Sequence, residues 1–322
     1  MKPIRTVKTV VREIAPAGDG IALVHLADPD DWELPAFEAG SHIDLHLPNG
    51  LVRSYSLCGS PAERRRYLVA IKREEAGRGG SIAAHALRRG DVVPVSLPRG
   101  TFRLATRARE HVFIAGGIGV TPFVAMAGQL ARDPGANDAE REDFTLHVLH
   151  RGAPPLAALC EAQLPPATVV YHRSGEGRPR ADLAALIGPY RQGRHVYCCG
   201  PDALMQAVEA LTREWPADHV HIEHFVPPAR PVDPDAKPYR AELALSRQTI
   251  DVQPHESLLH ALRAHGVEVD AACEGGICGA CRVRWSGGEP VHHDRVLTDA
   301  QRAHEVIVCV SGCASERLVL EL

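Results

Sequence analysis

The chain has 322 residues, 45% of them hydrophobic and 24% charged, which is enough for two or three domains with separate cores and excludes a disordered or fibrous protein. A formal net charge of −4 offers no basis for binding nucleic acid or an anionic membrane surface, so neither is an expected partner. Nine cysteines, an odd number, and no apolar leader segment argue against a disulfide framework, and a reduced, cytoplasmic protein is the expectation.

The start, MKPIRTVKTVVREI, alternates and carries charge throughout, so it reads as a strand rather than a signal peptide. Strands are predicted at 6–11, 21–26, 42–47, 52–57, 67–72 and 91–97. In SHIDLHLP the period of two turns Ile43, Leu45 and Leu47 inward and His42, Asp44 and His46 outward. Six such strands predict a small closed antiparallel barrel over residues 1–104.

Beyond residue 105 the pattern changes. Apolar runs at 112–115, 144–150, 169–172, 195–198 and 220–225 alternate with helical stretches at 122–132, 181–187 and 203–215. Over residues 105–227 this predicts a parallel sheet with helices on both faces. The longest apolar run, 112–128, is too short and too broken by Gly116, Gly117, Gly119 and Pro122 to span a membrane.

Prolines then recur through PPARPVDPDAKP, an extended linker at 228–237. The tail, 238–322, opens with a hairpin (239–246 and 248–254). A helix follows from near Ser257 to a left-handed stop at Gly266, and Thr298 and Gln301 stand at capping-box spacing.

The tail also carries the most specific signal. Cys273 and Cys278 are separated by four residues, Cys278 and Cys281 by two, and Cys281 and Cys309 by 27. This is the plant-type spacing of a [2Fe-2S] cluster. Gly275, Gly276 and Gly279 between them can take positive φ and turn backbone N–H groups toward anionic sulfur. A structural zinc site is the alternative, but zinc sites usually pair two CxxC-like knuckles and only Cys278–Cys281 makes one. Cys313 competes with Cys309 as fourth ligand, and the spacing favours Cys309. No C-x-H and C-x-x-H pair suggests a Rieske centre. Cys58 and Cys160 read as core or helix-face thiols, and Cys198 as a strand residue.

Upstream, RSYS (Arg53 to Ser56) lies on a predicted strand and GRGGS (Gly77 to Ser81) opens a predicted helix at 82–87, a forked cation and free N–H groups such as a phosphate requires. GGIGVTP (Gly116 to Pro122) runs from strand to helix with Thr121 as cap, and CCGPDALM (Cys198 to Met205) does the same. Two glycine turns at the C-terminal edge of one parallel sheet form the crevice expected for a nucleotide.

The cysteine-bearing tail resembles a plant-type ferredoxin domain, and RSYS followed by GRGGS resembles the ferredoxin reductase superfamily. The order of the three parts resembles the phthalate dioxygenase reductase and vanillate O-demethylase reductase family over essentially the whole chain. The resemblance implies a multidomain fold: an antiparallel β-barrel flavin domain, an α/β parallel-sheet nicotinamide domain and an α+β, β-grasp [2Fe-2S] domain. It implies FMN rather than FAD, with Arg53 on the flavin phosphate, Tyr55 and Ser56 at the ring, and Ala70, Ile71 and Lys72 along the ribityl and ring edge. Gly79, Gly80 and Ser81 hold the phosphate. By the same resemblance Gly116, Gly117, Ile118, Thr121, Cys199, Gly200, Pro201 and Met205 receive the nicotinamide coenzyme, with Cys199, Gly200 and Pro201 near the reacting ring and Thr121 the matching contact from the first turn. Phe225 matches an aromatic that stacks on the flavin, with a core phenylalanine as the alternative.

Relatives that prefer NADH tend to carry an acid about where Arg173 stands. Arg173 and Ser174 therefore favour NADPH, unless Arg173 is a solvated loop charge.

The implied activity passes electrons from NADPH or NADH through FMN and the cluster to a separate terminal oxygenase, of Rieske type, by a protein that is a monomer when free. A cytochrome P450 is the alternative partner, and a non-catalytic iron–sulfur redox sensor the alternative class. The redox chemistry belongs to the cofactors and needs no acid–base pair, so the histidines, His292 and His293 included, are expected at the surface.

Overall fold

In the computed structural model, residues 6–100, 102–132, 143–225 and 236–322 are described. Those up to Phe225 form one compact unit and those after it a second. The predicted linker lies outside the described residues apart from 236 and 237.

The six predicted strands form: β1 (Thr6–Pro16), β2 (Ile21–Ala27), β3 (His42–His46), β4 (Val52–Ser56), β5 (Arg66–Lys72) and β6 (Val92–Ser96), with the short helix α1 (Gly80–His85) between the last two. They pair antiparallel in the order β4-β3-β6-β1-β2-β5. A bridge between Leu57 and Val69, with Cys58 N–H donating to Leu68 O at 2.9 Å, joins the two outer strands and closes the barrel. Closure leaves no exposed strand edge.

The alternation predicted in β3 fails at two positions, because His42 and Asp44 are buried as fully as their apolar neighbours. The Asp44 carboxylate accepts from Ser54 Oγ at 2.7 Å and is ion-paired with Arg99, whose Nη1 also donates to Ser96 Oγ at 2.7 Å. The segment after β6 folds over this face, so the strand needs a paired carboxylate there instead of a solvated one.

The parallel sheet comprises β7 (Glu110–Gly116), β8 (Asp143–His150), β9 (Val169–Arg173), β10 (Arg194–Cys199) and β11 (Val220–Glu223), in the order β11-β10-β7-β8-β9. Around it lie α2 (Thr121–Arg132), α3 (Ala157–Gln163), α4 (Leu183–Ile187) and α5 (Asp202–Leu211). Alternate residues serve two cores. Phe113, Ala115, Tyr197 and Cys199 join α2, whereas Val112, Ile114, Val196 and Cys198 pack with Ile187, Met205 and Val208.

In this part of the chain α5 and β11 end earlier than predicted. Helix α5 ends at Leu211, and the Thr212 hydroxyl beyond it donates to Val208 O at 2.8 Å. Strand β11 stops at Glu223, opposite Cys199, because its partner β10 turns away there and leaves no ladder for residues 224 and 225.

Barrel and sheet share one apolar core. Phe102 beyond β6 lies with its ring 5.9 Å from Phe123 of α2 and 6.0 Å from Tyr197 of β10, and Ile21, Leu23 and Ala70 of the barrel join the same cluster.

The second unit is a β-grasp: β12 (Tyr239–Leu243), β13 (Thr249–Val252), α6 (Leu258–Ala264), β14 (Arg282–Val291), α7 (Asp299–Arg302), β15 (Glu305–Ile307) and β16 (Gly312–Leu320), with sheet order β13-β12-β16-β14-β15. Ser257 caps α6 by accepting from His260 N at 3.1 Å, and the Thr298–Gln301 capping box is present. Among the described residues no helix is long and apolar enough to cross a membrane.

The parallel sheet also holds histidines that the sequence reading put at the surface. His195 and His221 share a 3.1 Å contact between ring nitrogens, as do His147 and His172, and His111 is wholly buried. Burial first, and neighbouring imidazoles second, push His147, His195 and His221 down to about 4. The folded protein keeps them neutral while the unfolded chain protonates them near pH 6.5. Their stabilising contribution is therefore complete above about pH 6.5 and lost as the pH falls toward 4. Thermal unfolding followed from pH 7 to pH 5 should show a falling midpoint, and His221→Gln should flatten that slope; an equal slope in the variant refutes the assignment.

Candidate functional site

Two pairs of segments, distant in sequence, converge on the first unit. On the barrel, Arg53 of β4 lies across the GRGGS turn. Its Nη1 donates to Val52 O at 2.8 Å and its Nη2 to Arg78 O at 3.2 Å. A β-carbon on Gly80 would stand 2.5 Å from Arg53 Cγ, so only glycine lets the arginine lie there. Ser81 Oγ accepts from Glu74 N at 3.0 Å and ties the start of α1 to the end of β5.

Gly79 precedes α1 with φ +79. Ala70 and Ile71 are buried, while Lys72 is exposed and paired with Glu74 at 2.6 Å. Tyr55 is half-buried and Ser56 buried. Burial pushes the Tyr55 phenol up to about 12, against the opposing pull of Arg53. A guanidinium resting on a glycine turn is a donor set that fits a phosphate.

On the sheet, the ends of β7 and β10 meet at the switch point, where the chain leaves β7 toward β8 and returns later to β10 on its other side. Gly200 fits so closely that a β-carbon would lie 2.8 Å from Gly116 Cα, and one on Gly119 would lie 2.2 Å from Cys199 O. Gly117, at φ +57, has nothing within 4 Å of its missing β-carbon and opens on free space.

Thr121 does not cap a helix as predicted. A 3-10 turn at Gly117–Val120 runs straight into α2, and the Thr121 hydroxyl donates back to Ile118 O at 3.1 Å. Strand β5 of the barrel touches this turn, so Ala70 and the first glycine turn are neighbours.

Other predicted residues are distributed unequally. Cys199 is wholly buried, and burial followed by the charge of Glu223 holds its thiol far above the ordinary range, so it is no thiolate. Pro201 flanks Gly116 in the crevice, whereas Met205 is buried in the core beneath α5. Phe225, two residues past β11, is 36% exposed, which removes the core alternative. Arg173 closes β9 on the same sheet edge. Its Nη2 lies 2.8 Å from Glu176 Oε2 and its Nε donates to Arg151 O at 3.2 Å, and Ser174 N donates to His150 O.

The sequence reading missed Glu223. Facing Cys199 across the ladder and crowded by protein, its carboxyl is pushed by burial up to about 8. A single glutamate in an ordinary strand pattern carried no signal.

In the second unit all four predicted cysteines are buried and fall into two pairs. Cys278 donates to Cys273, lowering Cys273 and raising itself, and Cys281 and Cys309 do likewise. Gly275 N–H donates to Cys273 Sγ at 3.4 Å. Gly276 and Gly279 take positive φ as predicted, but Gly275 does not, and Glu274 at φ +52 turns the chain instead. Cys313 bonds Ser315 Oγ and Arg317 O. A buried sulfur that accepts from a backbone amide, as Cys273 does from Gly275, suits a negatively charged iron ligand.

Gly119→Ala should cost about 1–3 kcal/mol of overpacking, since its neighbour is backbone and cannot rotate away. Chemical denaturation checks this, and a loss of coenzyme affinity larger than the loss of stability would locate the defect at the crevice.

Residues 242–314 match the family model of the 2Fe-2S iron-sulfur cluster binding domain. Phthalate dioxygenase reductase of Burkholderia cepacia is 38% identical over 92% of this chain and 91% of its own. A solved phthalate dioxygenase reductase, described as a modular structure for electron transfer from pyridine nucleotides to [2Fe-2S], superposes with a TM-score of 0.71 at 36% identity over 98% of both chains. An intact type IV self-sufficient cytochrome P450 monooxygenase matches with a TM-score of 0.85 at 35% identity, over 98% of this chain and 41% of its own. The chain is therefore an oxidoreductase of the phthalate dioxygenase reductase and vanillate O-demethylase oxidoreductase family, with a C-terminal 2Fe-2S domain.

Proposed function

We propose that this chain is the reductase component of a multicomponent oxygenase or demethylase, carrying electrons from NADPH or NADH through FMN and a [2Fe-2S] cluster to a separate Rieske-type oxygenase. The observation that carries the reading is the contact of β5 with the Gly117–Val120 turn, which sets the flavin strand beside the nucleotide crevice within one packed unit. Bound there, the cofactors supply the conversion of a two-electron hydride into single electrons.

The protein's part is positional. Arg53 and the Gly79–Ser81 turn hold the flavin phosphate, with Tyr55, Ser56, Ala70 and Ile71 along the ring. Gly116, Gly117, Thr121, Gly200 and Pro201 admit the nicotinamide, and Phe225, exposed beyond β11, is free to cover the ring face. Cys199 contributes bulk in a water-free floor rather than a nucleophile, consistent with its protonated thiol. Cys273, Cys278, Cys281 and Cys309 are the iron ligands.

A cytochrome P450 partner is the second reading, favoured by the close match to the reductase-bearing self-sufficient P450 chain. Reconstitution with candidate Rieske and P450 partners separates the two by which of them turns over.

The first test is anaerobic absorbance. Flavin and iron–sulfur bands should appear together and bleach on adding NADPH or NADH; bleaching by dithionite alone would instead support a redox-sensing module. Chromatography of the extracted flavin should yield FMN, and FAD would overturn that assignment.

Coenzyme choice turns on Arg173, which Glu176 already engages. A 2′-phosphate is expected to compete with that carboxylate for the guanidinium. Arg173→Asp should move the ratio of NADPH to NADH turnover toward NADH by about tenfold, the effect of roughly 1.4 kcal/mol. An unchanged ratio rejects NADPH selection by this residue.

A further inference from the structure

The loop between β14 and α7 lies against the cysteine loop, and one buried carboxylate organises it. Asp294 has no exposed side-chain surface. Its Oδ2 accepts from Val296 N at 3.2 Å and Leu297 N at 2.8 Å, closing a turn by side chain to backbone. Arg302 Nη2 donates to Asp294 O at 2.9 Å, and His292 Nδ1 stands 3.5 Å from Asp294 Oδ1.

This turn grips both positive-φ glycines of the cysteine loop. Arg295 N–H donates to Gly276 O at 3.0 Å, a β-carbon on Gly276 would lie 3.2 Å from Asp294 Cα, and one on Gly279 would lie 3.5 Å from Val296 Cγ2. Gly276 adjoins Gly275, whose N–H is directed at Cys273 Sγ at 3.4 Å.

From this chain of contacts we infer that Asp294 is a positioning residue for electron transfer: it pins the 294–297 turn that holds Gly276 and, through it, the adjoining Gly275 amide on the Cys273 sulfur, and so raises the reduction potential of the cluster. Amides directed at ligand sulfur stabilise the more negative, reduced state. The inference rests on the proposed four-cysteine ligand set. It makes a prediction of opposite sign to simple charge removal, since deleting a buried negative charge near the cluster should make reduction easier.

The test is a redox titration of the full chain, followed by absorbance and electron paramagnetic resonance. In Asp294→Ala the turn is lost, and the cluster's share of electrons relative to the flavin should fall about tenfold, ~59 mV for a one-electron couple. In Asp294→Asn the amide oxygen still accepts both N–H groups while the negative charge is lost, so the potential should hold or rise, opposite to Asp294→Ala. Arg302→Lys, which keeps the positive charge but removes the guanidinium donor to Asp294 O, should shift the potential in the same direction as Asp294→Ala but less.

A rise in potential, or no change, in a fully loaded Asp294→Ala protein overturns the inference. If Asp294→Ala holds no cluster, Arg302→Lys decides, and an unchanged potential there overturns it equally. Absence of a [2Fe-2S] spectrum in the parent protein would instead sink the ligand assignment.

Discussion

The first unit depends on the packing of Phe102 into the sheet. Sitting between Phe123 and Tyr197, it fuses barrel and parallel sheet into one core and thereby brings β5 against the Gly117–Val120 turn. Aromatic rings in tilted and edge contacts bury large areas and tolerate little displacement. This core fixes the separation of β5 from the Gly117–Val120 turn.

Glycine provides the remaining closeness. At Gly80, Gly116, Gly119 and Gly200 a side chain would collide with an arginine, a proline, a carbonyl or another glycine's backbone. Each removes the atom that would hold two segments apart. The same economy operates at the cysteine loop, where Gly276 leaves room for the Asp294 turn and Val310.

Electrostatics divides the molecule differently. At the end of β10 burial raises the Cys199 thiol and the Glu223 carboxyl and so favours their neutral forms. The cysteine loop directs the Gly275 amide at Cys273, which favours negative sulfur. The first environment disfavours charge, and the second accommodates it.

Local order is what the sequence by itself determined. Period-two alternation located all six barrel strands and strand–helix alternation the parallel sheet, because each is written in neighbouring residues, and the spacing of Cys273, Cys278, Cys281 and Cys309 pointed to the 2Fe-2S domain that the family model matches. Elements whose limits depend on distant partners were misread: β11 stops where β10 turns away, Asp44 is buried because Arg99 reaches it, and the histidines are interior because neighbouring strands stack them. Tertiary structure alone decided that Gly116 meets Gly200, that Arg53 rests on Gly80 and that Asp294 grips Gly276. These pairs lie from 18 to 84 positions apart in the chain, and long-range packing leaves no periodic trace in a single sequence.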